Sequence, residues 1–104
     1  MTRASDTVWS RNGVPIRLPE ERWSHIEGEH DDLVGLKDDV LRAVSEPDRV
    51  LAGCEDELLA VREMEQGKWL VIVYKEVSAS DGFVITAYLT RRARQLERRP
   101  ILWP

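Results

Sequence analysis

The longest uninterrupted apolar stretch in the chain is Trp69-Leu70-Val71-Ile72-Val73-Tyr74, closed at its ends by Lys68 and Lys75. Six residues rich in β-branched and aromatic side chains fall far short of the roughly 20 that a membrane span requires. They suit a strand covered on at least one face. Such a strand needs partners, so the run predicts a sheet with itself at the centre. Three further segments qualify: Arg49-Val50-Leu51-Ala52, Glu57 to Met64, and Phe83-Val84-Ile85-Thr86-Ala87-Tyr88-Leu89, with Gly53, Gly67 and Gly82 between them. Glu65-Gln66-Gly67 is short enough for a hairpin, and Ser78-Ala79-Ser80-Asp81-Gly82 makes a longer one. The second half therefore reads as an antiparallel meander of about four strands.

The first half follows a different period. Trp23 and Ile26 lie three apart and share one face of a helix over Glu20 to Glu29, with Pro19 at its first position and Glu20 and Glu21 at the positive end of its dipole. Gly28 weakens the last turn, and Glu29 to Asp32 reads as a break. Leu36, Val40, Leu41 and Val44 keep helical spacing in a second helix, which Ser45-Glu46-Pro47-Asp48 ends because the residue before a proline avoids the helical region. Val14-Pro15-Ile16-Arg17-Leu18 alternates and reads as a short edge strand, a place where its proline is tolerated. Met1 to Asn12 is polar and reads as a mobile leader or edge segment anchored by Trp9, ending at the Asn12-Gly13 turn. Arg91 to Arg99 reads as a short helix or ordered tail whose end, Ile101-Leu102-Trp103, packs back. The expected architecture is α+β: two N-terminal helices packed on a roughly four-stranded antiparallel meander, with a short C-terminal helix or ordered tail. Residues 1–13 form the leader or edge segment, 14–92 the single domain and 93–104 the arginine-rich tail.

At 104 residues the chain supports one core, and 42% hydrophobic with 33% charged residues is the balance of a soluble globular protein rather than a disordered one. No signal-peptide pattern opens the chain. Cys54 is the only cysteine, so no internal disulfide forms, which fits a reducing cytoplasm. A small, half-buried or exposed cysteine is the simpler reading of Cys54 than a thiol nucleophile. The net charge of −4 speaks against a protein whose whole surface binds nucleic acid. Distribution matters more than the sum: acids dominate from Glu20 to Glu57, while Arg91, Arg92, Arg94, Arg98 and Arg99 crowd the end. Three readings fit this asymmetry, namely an RNA-facing basic edge, half of an interface with an acidic partner, and a solvated helix pairing with the chain's own acidic half.

Arg22-Trp23-Ser24-His25-Ile26, then His30, Pro47 ahead of a strand, Lys68 to Lys75 and Val84-Ile85-Thr86-Ala87-Tyr88 together resemble the phage-associated barnase/EndoU/colicin/RelE-type nuclease-fold domains. The similarity spans roughly residues 14 to 92. Its tail, Leu89-Thr90-Arg91-Arg92 with Leu96, Arg98, Arg99 and Trp103, is similar to a small bacterial subfamily. The resemblance implies the nuclease fold and, more loosely, a metal-independent ribonuclease or toxin-like protein with RNA as substrate and a cognate protein partner or antitoxin.

Metal-free RNA cleavage needs a base for the 2′-hydroxyl, an acid for the leaving 5′-oxygen and donors for the charged transition state. The chain holds two histidines, the side chains that exchange protons near neutral pH. His30, at the end of the first helix, is the first choice for base or acid. Arg62 and Lys75 supply cations for phosphate, Thr86 a hydrogen-bond donor, and Tyr88 a stacking surface or proton relay. Arg91, Arg92 and His25 are the nucleic-acid contacts. No cofactor and no metal are called for: Asp31-Asp32 and Asp38-Asp39 lack a calcium-loop pattern. Each choice has a plainer counterpart. His30 can cap its helix, Arg62 can be an edge-strand charge, Thr86 is a strong β former, and Tyr88 with Trp69 can be core aromatics. Strand alternation places Val84, Thr86 and Tyr88 on one face, and Lys75 with Val73, Val71 and Trp69 on one face; hairpin register decides whether these coincide. The competing account is a non-catalytic protein- or RNA-binding domain of the same fold.

Overall fold

The apolar run lies where its composition demands, in the middle of a sheet. The computed structural model describes residues 5–104. The run belongs to the longest strand, β5 (Lys68–Ser78), which pairs antiparallel with β4 (Leu58–Glu65) and β6 (Asp81–Thr90). β4 pairs in turn with β3 (Arg49–Ala52). Gly67, at φ +78°, takes the left-handed conformation that the tight β4–β5 turn requires, a conformation that costs glycine little.

The sheet is not a four-stranded meander. It has seven strands and mixed pairing, in the order β1-β2-β6-β5-β4-β3-β7. β1 (Ser5–Trp9) and β2 (Pro15–Pro19) form a hairpin that joins the meander through a parallel contact, Ile16 opposite Gly82 and Arg17 opposite Phe83. β7 (Ile101–Trp103) adds to β3 at the far side. The helices are not N-terminal either: α1 (Glu20–Glu29), a 3-10 turn (Asp31–Leu33) and α2 (Lys37–Ser45) are inserted between β2 and β3, and α3 (Ala93–Glu97) precedes β7. The physical reason is that backbone pairing recruits segments whose side chains carry no strand signal. β1 is polar and half exposed, and β7 is three residues long.

Smaller expectations are corrected too. β2 is not an edge strand, since β1 and β6 flank it; Pro15 is tolerated because it stands at the strand's first residue, outside the β6 pairing. Pro19 caps α1 rather than opening it. Of the leader or edge segment expected over residues 1–13, residues 1–4 lie outside the described residues, and Ser5–Trp9 is strand β1. Trp9 is 60% exposed and does not anchor its segment. The anchor is Val8, packed on the core, together with buried Ser10, whose hydroxyl donates to Glu76 Oε2 (2.5 Å) and accepts from the Val14 amide (3.2 Å). Asn12 Nδ2 donates to the second oxygen of the same carboxylate (3.0 Å).

Both faces of the sheet carry apolar side chains, and they are covered differently. On one face Ile16, Leu18, Ala60, Leu70, Ile72, Tyr74, Val84 and Ala87 meet Trp23 and Ile26 of α1, Leu33, and Val40, Ala43 and Val44 of α2 in the main core. On the other, Leu51, Leu59, Val61 and Val71 form a smaller cluster closed by Leu96, the one buried residue of α3. Around its rim Trp69, Val73 and Tyr88 stay partly open. The sheet curls toward the helices: Lys37 of α2 reaches Asp6 of β1 at 2.6 Å, and Arg11, in the β1–β2 turn, lies 4.3 Å from the ring centre of Trp103 in β7.

Candidate functional site

The second face, behind the two helices, is where polar and cationic side chains gather, and a β-bulge decides which residues reach it. Val73 pairs with Thr86 but Tyr74 pairs with Val84, so Ile85 is an extra residue in β6. Simple alternation joins Val84 with Thr86 and Tyr88; the bulge separates them. Val84 goes into the main core, while Thr86 and Tyr88 point to the opposite face beside Val73 and Val71. Lys75, two residues beyond Val73 and opposite Phe83, lies on this face as well. The register therefore places Lys75, Thr86 and Tyr88 on one side of the sheet.

His30 is not with them. It ends α1 and starts the 3-10 turn, on the helical side, where its amide donates to the Ile26 carbonyl at 2.9 Å. His25 is exposed on the same helix and bonds Glu29 at 3.0 Å; the 440 Å³ depression it lines with Pro19 and Arg22 is also lined by Glu21, an unfavourable neighbour for phosphate. Arg62 faces the helical side too, paired with Leu70, and its guanidinium donates to the Glu46 carbonyl just past α2 at 2.5 Å. That bond satisfies a helix-end carbonyl, and β4 is an interior strand, so Arg62 is a helix clamp rather than an edge charge. The sheet itself stands between these three residues and the Thr86 face.

A concave site forms where α3 docks. Leu96 plugs the small apolar cluster, and Arg92, Arg98 and Arg99, which flank the helix, stand at the rim. A pocket of about 380 Å³ results, walled by Tyr88 and Thr90 of β6 and by Arg92, Gln95, Arg98 and Arg99. No carboxylate lines it. Arg99 is held in place by donating to the Ala52 carbonyl (3.3 Å) and to Cys54 Sγ (3.7 Å). A second cavity of about 300 Å³, lined by Gly53, Cys54, Glu57, Leu59 and Val73, shares Tyr88 and Arg99 as its wall. Among the described residues Arg92 and Arg98 make no ion pair, whereas Arg91 bonds Glu65 at 3.1 Å and Lys75 bonds Asp56 at 3.2 Å. Burial pushes the Tyr88 phenol above its ordinary value, with the Arg99 charge opposing it. Its hydroxyl thus keeps its proton at neutral pH and is available to donate a hydrogen bond. No cluster of His, Cys, Asp and Glu among the described residues is arranged to hold a metal ion.

Of the residues expected to act together, Lys75, Thr86, Tyr88 and Arg92 share the second face, and His25, His30 and Arg62 do not reach it. Thr90, Gln95, Arg98 and Arg99 were not among the expected site residues. Part of their signal was present: arginines crowd the chain on both sides of Leu96, so docking the short helix through that leucine brings Arg92, Arg98 and Arg99 to the edge of the contact. No protein-family model, curated protein or solved structure matches the chain.

Proposed function

We propose that this protein is an RNA-binding domain that takes its ligand on the sheet face opposite α1 and α2, without cleaving it. The observation that carries this reading is the pocket rimmed by Arg92, Arg98 and Arg99 and walled by Tyr88, with no carboxylate in its lining. Guanidinium groups match phosphate oxygens with paired donors, and an aromatic wall stacks an unpaired base. The net charge of −4 is compatible because the cations are concentrated at one site and not spread over the surface. Exposed, unpaired Cys54 suits a reducing compartment such as the cytoplasm.

The second reading is the metal-independent, toxin-like endoribonuclease of the nuclease fold that the sequence resembles, and Lys75, Thr86 and Tyr88 on the pocket's face favour it. In that reading Tyr88 is the acid for the leaving 5′-oxygen, a role that burial makes harder because a raised phenol gives up its proton less readily, and His30 has no part at the phosphate. A cognate protein partner covering this face would block either activity.

Labelled single-stranded RNA and total RNA in EDTA test both. The binding account expects rising fluorescence anisotropy with wild type, a loss of at least about tenfold in affinity for Arg92→Glu with Arg98→Glu, and intact total RNA. Cleavage by wild type and by His30→Ala but not by Tyr88→Phe transfers the conclusion to the nuclease account. Absence of binding and of cleavage overturns both.

A further inference from the structure

The pocket under α3 is a half-open recess of limited size. Arg99, tied to the Ala52 carbonyl and Cys54 Sγ, lines both this recess and the neighbouring cavity, as Tyr88 does. Its volume of about 380 Å³ lies near the lower end of small-ligand sites, room for one nucleotide and not several. Three arginines line this space and no acidic residue does. An internal phosphodiester brings one negative charge, whereas a phosphate monoester brings about −1.5 to −2 near pH 7 and three terminal acceptor oxygens. Thr90 Oγ1 accepts the Arg92 amide at 3.1 Å, which leaves the hydroxyl proton free to donate, and the Gln95 amide adds two donors. Charge, donor number and shape all fit the monoester better than the diester.

We propose that this recess is an end-recognition site for a nucleotide bearing a terminal phosphate monoester, with the phosphate between Arg92, Arg98 and Arg99 and the adjoining base against Tyr88. The inference rests on the RNA reading above only for the source of the nucleotide; an RNA terminus and a free mononucleotide present the same chemistry. Specificity follows from charge matching, since a strand with hydroxyl ends leaves part of the cationic rim unpaired.

The test measures anisotropy with one short RNA in three forms, carrying a 5′-phosphate, a 3′-phosphate, or hydroxyls at both ends, together with AMP as a competitor. The proposal expects one phosphorylated form to bind about tenfold or more tightly than the hydroxyl form, as charge-assisted hydrogen bonds allow, and expects the preference to vanish in Arg98→Gln and Arg92→Gln. Both residues are exposed, and circular dichroism verifies that each variant folds. Equal affinity for all three forms overturns end recognition while leaving RNA binding in place. Binding of AMP without binding of any RNA form upholds the recess chemistry and overturns the RNA reading. Absence of binding by every probe overturns both.

Discussion

At the scale of single residues, the position that matters most is Ile85, the extra residue of β6. It turns Val84 into the core and Thr86 and Tyr88 out to the face that also carries Lys75, and nothing in the side-chain pattern of Phe83 to Leu89 announces it, because every residue there is apolar or a β former. The co-facial pairing of Thr86 with Tyr88 was legible from alternation; Val84's departure from them was not. Tyr88 and Tyr74 are also the residues whose chemistry the fold alters. Burial raises both phenols, and the Asp6 hydrogen bond raises Lys37. All three groups hold their protons more tightly folded than unfolded, so their contribution is fully present below the unfolded values of about 10 and is lost as pH rises through the folded ones. The urea midpoint is therefore expected to be flat from about pH 7 to 9 and to fall above about pH 10, less steeply in Tyr74→Phe. A midpoint that holds constant above that pH contradicts the assignment.

At the scale of elements, α3 is the weak joint on which the site depends. Five residues long and docked through Leu96 alone, it has no stability of its own. Leu96→Ala removes a buried leucine at a cost of about 2–4 kcal/mol to the docked state, and the sheet beneath retains the main core. Hydrogen exchange is expected to accelerate across residues 92–103 while β5 amides remain protected, and RNA affinity is expected to fall with it. Uniform acceleration across the chain would instead make α3 part of the global unfolding unit. The helices over Trp23–Ile26 and Val40–Val44 and the four meander strands were readable because local period and burial agree in them. β1 and β7 were not, since each owes its conformation to a distant partner: β1 to β2, and β7 to β3.

At the scale of the whole molecule, the sheet acts as a partition. It separates a helical side, where the two histidines and Arg62 serve α1 and α2, from a second side where α3 assembles a cationic recess on an acidic protein. The clustering of arginines after residue 90 was visible in the chain, but which face they join depends on Leu96 docking across the β3–β6 strands, a long-range contact. A localised site of this kind predicts a shallow salt dependence. With one phosphate monoester engaged, carrying about −1.5 to −2 charge, log K is expected to fall against log salt with a slope near −1 to −1.5, where a broadly basic surface would give a steeper one. The most direct measurement is a titration of isotope-labelled protein with single-stranded RNA, followed by amide chemical shifts. Binding at the second face predicts that the largest changes fall on Thr86 to Arg92 and on Gln95 to Arg99, with α1 unmoved; changes centred on Arg22 to His30, or none anywhere, would contradict it.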